Sequence, residues 1–285
     1  MKKGICWGCI PASSAVSSDA NDPAARLREA REAGFQGVEP VIAEPGAGPL
    51  TLESTEREAA TLREAAAREG MDLPSVMCGA AVSKTPVIHQ DPVVRQQAVE
   101  NLGKTLERAK WLGADTVLLH PGQLKPETRY DQVWEWVRDT LKAVIPHAER
   151  HGVALAIENV WNKFMLSPTE MRQLLDDVNH PLIGAYFDVG NCILYGYPEH
   201  WVAVLSGRIK KVHVKDFNRQ KAQREGTAKG FCQLLDGDAD YGAVMRELRA
   251  TGYDGYLTSE VSVSAMPDGQ GIADTARRID QILAM

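Results

Sequence analysis

Strict alternation is the feature that most limits what this chain can become. Eight short runs rich in β-branched and apolar residues (KGICWG, GVEPVI, LPSVMCG, TVLLH, VALAIENV, IGAYFDVG, KKVHVKD and YLTSEV) take turns with amphipathic helical patterns along 285 residues. The helices are expected at Asp22–Ala33, Glu53–Glu69, Pro92–Leu112, Tyr130–Arg150, Pro168–Val178, Glu199–Ser206, Tyr241–Thr251 and from about Asp268 to Leu283. Their ends are punctuated to match. Asp22-Pro23 and Ser167-Pro168 read as an N-cap followed by proline in the first turn, and Gly34, Gly70, Gly113, Gly152 and Gly252 as the residue that closes a helix. Strands joined by helical crossovers run parallel, because a tight hairpin joins only antiparallel neighbours.

A parallel sheet of this size is either open and doubly wound or closed. The open form normally carries a glycine-rich phosphate turn after its first strand, and no G-x-G-x-x-G is present. No linker, low-complexity tract or fixed-period repeat divides the chain, so a single-domain (β/α)8 TIM barrel over residues 1–285 is predicted. That closure also chooses the functional face, since barrel sites are built where the strands end. The two longest connections, Ala43–Leu52 and Phe217–Asp240, both follow strands on that face.

Ionisable residues collect at those strand ends. The second strand ends in Glu39, the fourth in His120, the fifth in Glu158, the sixth in Asp188, the seventh at His213 and the eighth in Glu260. A buried strand end is a costly place for a charge unless it is paired or bound to a metal. Four consecutive strands ending in Glu158, Asp188, His213 and Glu260 converge on one cavity in a closed barrel, where three bare carboxylates would repel one another. One divalent ion held by these four residues is therefore expected. Carboxylates with one imidazole suit Mn²⁺, with Mg²⁺ or Co²⁺ as alternatives, better than a thiolate-rich zinc site.

At the same residues the chain becomes familiar. The motifs I-E-N, F-D-V-G-N, V-H-V-K-D and T-S-E, in that order on successive strands, resemble those of the xylose-isomerase-like sugar phosphate isomerase/epimerase superfamily. The run A-I-E-N-V-W-N-K-F-M-L-S-P looks like one bacterial branch of it, and D-V-G-N is similar to the L-xylulose-5-phosphate 3-epimerase group. The resemblance covers nearly the whole chain and implies the same four metal ligands. From the ketose 3-epimerases it also implies that Glu158 and Glu260 are the catalytic acid/base pair, and that Arg219 helps hold carboxylates of the metal site or substrate. Where those enzymes often have a histidine, this chain has Asn191, which can hydrogen-bond but not shuttle a proton.

The chemistry so implied is proton transfer beside a carbonyl. A divalent-metal-dependent sugar or sugar-phosphate isomerase/epimerase would act through a metal-stabilised enediolate, with the two glutamates moving the proton. Further candidates for substrate contact are His120, which opens a loop on the correct face; Glu39, at a hydroxyl or a nearby cation; and Lys215, on the His213 side by strand alternation. Trp7 and Trp161 follow strands into the cavity mouth, where stacking on a sugar competes with simple rim packing. Asn159 and Asn162 are possible hydrogen-bond donors. The basic stretch Asn218–Gly230 reads as a solvated loop that could also close on the site or meet a phosphate.

Composition removes several classes. A net charge of −6 with acids and bases intermixed disfavours a nucleic-acid partner. No apolar run is long enough for a membrane span, and the N-terminus lacks the apolar core of a signal peptide. Five scattered cysteines fit reduced, cytoplasmic usage, and Cys6-x-x-Cys9 runs into Ile10-Pro11 rather than into a helix as a redox pair would. The competing functions are a metal-dependent lyase or hydrolase on 3-keto-glycosides, which uses the same enolisation, and a non-catalytic sugar- or metal-binding barrel. An endonuclease-IV-like repair enzyme needs many more histidines at strand ends than this chain has. A homo-oligomer is usual in the resembling families.

Overall fold

Strands covered on both faces need near-continuous apolar runs, and seven of them form in chain order where the sequence predicts: β1 (Lys2–Cys6), β2 (Gly37–Glu39), β3 (Ser75–Met77), β4 (Thr116–Leu119), β5 (Ala154–Glu158), β6 (Ile183–Asp188) and β7 (Ile209–Val214). A short antiparallel hairpin, β8 (Asp216–Phe217) with β9 (Phe231–Cys232), follows β7. The eighth barrel strand is therefore β10 (Tyr256–Ser259). The structure, a computed structural model, describes residues 1–11, 22–79, 83–262 and 271–285. The eight strands lie in the order β2-β1-β10-β7-β6-β5-β4-β3. Main-chain bonds between the second and third strand segments, Val38 N to Asp72 O, Ile42 N to Met77 O and Met77 N to Pro40 O, each 2.9 Å, close the ring. The chain is a TIM barrel.

Among the described residues eight longer helices wrap it: α1 (Pro23–Glu32), α2 (Glu56–Arg68), α3 (Pro92–Leu112), α4 (Tyr130–His151), α5 (Pro168–Val178), α7 (Pro198–Leu205), α9 (Tyr241–Ala250) and α10 (Ile272–Leu283). Reciprocal capping boxes start two of them, Thr55 with Glu58 at α2 and Ser167 with Glu170 at α5. The Thr55 cap explains why α2 begins at Glu56 and not at Glu53. The expected start of the last helix near Asp268 lies outside the described residues. Gly113 and Gly152 close α3 and α4 with φ of 82° and 64°, the left-handed conformation that a side chain disfavours. Leu62, Leu102, Leu141, Leu174, Leu248 and Ile279 bury the helices' inner faces against the barrel. No helix among the described residues is long and apolar enough to cross a membrane.

Two local departures shape the functional face. The sixth strand does not run on through Val189-Gly190. It stops at Asp188, whose Oδ1 accepts from Asn191 N at 2.7 Å and caps a one-turn helix, α6 (Val189–Ile193). Gly190 is required there, because a Cβ would meet the Lys215 side chain and, at 2.8 Å, its carbonyl oxygen. The connection after β7, expected as loop, is instead built from β8, α8 (Arg219–Glu225), a 3₁₀ turn (Thr227–Gly230) and β9. Its anchor is the buried Asp216 carboxylate, which accepts from the main-chain N–H of Phe217 (2.8 Å), Leu235 (3.0 Å) and Ala239 (3.2 Å). At the opposite end of the barrel, buried Lys211 pairs with Asp115 at 2.8 Å.

Candidate metal centre and active site

Register brings four donors together. Asp188 lies beside His213 across β6 and β7, Glu158 pairs with Tyr186 two residues before Asp188, and Thr258 pairs with His213, so Glu260 emerges just past β10. The donor atoms of Glu158, Asp188, His213 and Glu260 all lie within 4.8 Å of one another. His213 Nδ1 is 3.9 Å from Glu158, 4.0 Å from Asp188 and 3.7 Å from Glu260. Two donors on one ion at about 2.1 Å can lie at most about 4.2 Å apart, so the imidazole separations fit and the full set closes with a small adjustment. Among the described residues, His213 Nδ1 and Asp188 Oδ2 are buried without a hydrogen-bond partner, and the Lys215 ammonium, 3.2 Å from Oδ2, already marks this spot as one that draws a cation. The donor set and these two buried atoms fit a hard or borderline divalent ion.

Beneath these four side chains is a hydrogen-bonded floor. Glu39, only 1% exposed, meets His213 Nε2 with Oε1 at 3.0 Å, while its other oxygen accepts from the hydroxyls of Ser75 and Tyr186. The Tyr186 ring lies against the imidazole at 4.5 Å between centroids. Burial alone would raise the Glu39 pKa, but His213 and the two hydroxyls bring it below the ordinary range, so Glu39 is a carboxylate. It therefore holds the proton on Nε2 and leaves Nδ1 facing the three acids, the arrangement in which an outer carboxylate orients a metal-ligating histidine.

Electrostatics above the floor are unequal. Burial raises the Asp188 pKa to about 7, against the pull of Lys215. Glu260 is lowered to about 2: its burial opposes ionisation, but Lys215 and then His213 outweigh it. The Lys215 ammonium bonds Glu260 and lies 3.2 Å from Asp188, offsetting part of the acids' negative charge. Thiol Cys6 also touches the floor, 3.4 Å from His213 Nε2, and forms a second tight group with Glu39 and His213. Burial pushes its pKa well up, so it stays a neutral thiol and a poor ligand.

The remaining candidates separate by place. Asn191 donates to Glu158 at 3.3 Å and to the Asn159 carbonyl at 2.9 Å, bracing that carboxylate from α6. Asn159 exchanges two 2.8 Å bonds with the Asp188 backbone, and Asn162 ties to Gly122 O at 2.8 Å, so both knit loops together. Trp161 donates to Asn191 O at 2.7 Å, stacks on Phe231 at 4.8 Å and borders a cavity of about 170 Å³ shared with Asn191 and Tyr197. Half-buried His120 accepts from Gly122 N at 3.2 Å. Trp7 is buried beneath Arg26. Two further candidates are held in place by protein partners. Of the two roles expected for Glu39, a hydroxyl or a nearby cation, the structure shows the second kind of contact: both oxygens are engaged under His213, one of them with the imidazole at 3.0 Å. Arg219, expected at carboxylates of the metal site or substrate, does not meet the clustered carboxylates; its guanidinium donates to the carbonyls of Ile193 (2.9 Å) and Gly196 (3.1 Å) and so ties α8 to the β6 loop.

With this geometry in hand, comparison with known proteins places the chain. A model of the xylose isomerase-like TIM barrel matches residues 27–282. The chain belongs to that family. Among curated relatives, the L-ribulose-5-phosphate 3-epimerase UlaE of Salmonella paratyphi A is 28% identical over 242 residues, 84% of this chain and 82% of the relative. Among solved structures, a D-tagatose 3-epimerase-like protein superposes with a TM-score of 0.78 at 20% identity, over 100% of this chain and 97% of the other. The 3-keto-D-glucoside 4-epimerase YcjR from E. coli gives 0.76 at 15% identity over the whole of both. At those identities the structures speak for the xylose isomerase-like fold alone.

Sequence reasoning did not single out Ser75 or Tyr186, and it weighed Cys6 only as half of a C-x-x-C pair; all three complete the floor of this xylose isomerase-like barrel. Tyr186 was within reach, since strand alternation puts it on the Asp188 side. Ser75 carries no charge and gave no local signal, and Cys6 reaches Glu39 through the register of β1 with β2, which the C-x-x-C spacing does not reveal.

Proposed function

We propose that this chain is a divalent-metal-dependent sugar epimerase or isomerase acting at the carbon beside a ketose carbonyl. The observation that carries the reading is the convergence of Glu158, Asp188, His213 and Glu260 within 4.8 Å, with His213 Nδ1 buried without a hydrogen-bond partner and Asp188 Oδ2 met only by the Lys215 ammonium. A divalent ion held there supplies a Lewis acid to a carbonyl oxygen. Glu158 and Glu260 are the two groups placed to remove a proton from the neighbouring carbon and to return one. Their carboxylates differ in environment: Glu260 is 27% exposed and bonded to Lys215, whereas Glu158 is 7% exposed and braced by Asn191. Lys215 reaches the same centre and is assigned to a substrate oxygen once the acids hold an ion. The printed activity of the curated relative, epimerisation of L-ribulose 5-phosphate, supports this class of reaction.

The test is solvent deuterium incorporation into a panel of ketoses and ketose phosphates with Mn²⁺. Glu158→Gln and Glu260→Gln are each expected to lower exchange by at least about 10²-fold while substrate still binds. Full activity in protein whose metal content is verified as zero would refute the scheme.

A further inference from the structure

Glu260 opens into a second cavity of about 390 Å³, bordered also by Lys215, Lys221, Lys229 and Phe231. We propose that this cavity takes the terminal phosphate of a ketose phosphate, held by Lys221 and Lys229. The proposal rests on the metal-dependent reading above and names the substrate class of that same site.

Three observations carry it. First, the lysines have different duties. Lys215 is engaged by Glu260 and Asp188, whereas neither Lys221 nor Lys229 has an ion-pair partner among the described residues. The neighbouring acids on the same connection are already engaged: Asp216 by main-chain N–H groups, Asp236 by Arg278 at 2.7 Å, and Asp238 by Arg219 N at 2.6 Å. Second, charge is placed against the trend of the molecule. In a chain of net charge −6, the segment Asn218–Gly230 carries Arg219, Lys221, Arg224 and Lys229 against Glu225 alone. The centre itself attracts no anion, because three carboxylates are balanced by a divalent ion and Lys215. A dianionic substrate therefore needs cations elsewhere, and these two face the cavity that Glu260 shares.

Third, both lysines sit on ordered backbone. Asn218 Oδ1 caps α8 by accepting from Lys221 N at 2.8 Å, and Arg219 pins the same helix to the β6 loop. The turn carrying Lys229 ends at Gly230, whose carbonyl accepts from Asn218 N at 2.8 Å. The cavity volume falls within the range of about 300–1,000 Å³ usual for small-ligand sites and suffices for a pentose with its phosphate.

The experiment is calorimetric, on the purified protein supplied with Mn²⁺. An alditol 5-phosphate, which has the phosphate but no carbonyl to enolise, is compared with the same alditol lacking phosphate. The phosphate compound should bind at least about tenfold more tightly, and Lys221→Met and Lys229→Met should each remove roughly tenfold. Arginine at either position should restore most of the loss, since it keeps the charge. Equal affinity for the two alditols, or native affinity in the Lys221→Met/Lys229→Met double variant, overturns the proposal. Binding is read without turnover, so the two readings fail separately. Phosphate-dependent binding without exchange on any ketose keeps the site and removes the chemistry. Exchange on ketoses without phosphate-dependent binding does the reverse.

Discussion

Replacing Glu39 with glutamine probes how the floor controls the centre. The substitution keeps the shape beneath His213 and removes the charge that fixes the proton on Nε2. In the native protein one carboxylate serves three partners, His213 at 3.0 Å and the hydroxyls of Ser75 and Tyr186. A glutamine offers one oxygen and one NH₂ to the same three, so the imidazole loses a charge-assisted bond and becomes a weaker donor to metal through Nδ1. Changes to such outer partners cost about 10- to 100-fold in metal affinity, or about 1.4–2.7 kcal/mol. At a metal concentration 100 times the native Kd, the ion stabilises the native protein by about 2.7 kcal/mol; a tenfold weaker site retains about 1.4 and a hundredfold weaker site about 0.4. With roughly 2 °C per kcal/mol for a chain of this size, the metal-induced rise in Tm should shrink from about 5 °C to about 1–3 °C. The assay is Mn²⁺ titration by calorimetry, paired with thermal unfolding with and without EDTA. An unchanged Kd in Glu39→Gln would show that Glu39 does not tune His213, and would refute the reasoning.

Metal affinity should also depend on pH in a determined direction. Burial holds a proton on Asp188 up to about pH 7, so binding an ion below that pH must expel it and above that pH need not. The Kd for Mn²⁺ should tighten at least about tenfold from pH 6 to pH 8, measured by the same titration, and a flat profile would contradict the assignment of Asp188 as a ligand. Asp216→Ala should loosen the connection after β7 without unfolding the barrel. It strands the N–H groups of Phe217, Leu235 and Ala239, at about 1–3 kcal/mol for each that finds no other partner. Hydrogen exchange across residues 217–239 should quicken well ahead of the strands; equal protection in variant and native protein would count against that anchor.

The sequence was most legible where a local rule acts alone. Apolar runs, helix caps such as Ser167-Pro168-x-Glu170, and closing residues such as Gly113 depend on a few neighbours, and the barrel follows from their repetition. Strand-end positions likewise put Glu158, Asp188, His213 and Glu260 on one face, because strand direction and a parallel sheet leave no other arrangement. Less legible were features that depend on contacts between distant segments. The connection after β7 looked like solvated loop because its basic residues dominate its composition, while the residue that organises it, Asp216, lies just outside that run. Arg219 carried a charge that pointed to carboxylates, yet its reach and the carbonyls exposed at the end of α6 direct it to main chain.

By itself, then, the sequence determined the alternating elements, their parallel closure and the identity of four strand-end residues, since each depends on periodicity or short-range stereochemistry. Only the tertiary structure decided which acid does what. Glu39 and Glu158 are both glutamates at strand ends, but β2 places one beneath His213, sealed by Ser75 and Tyr186, and β5 places the other beside the open Nδ1. Burial, the nearest cation and the available donors divide those roles, and all three are set by residues up to 174 positions apart in the chain.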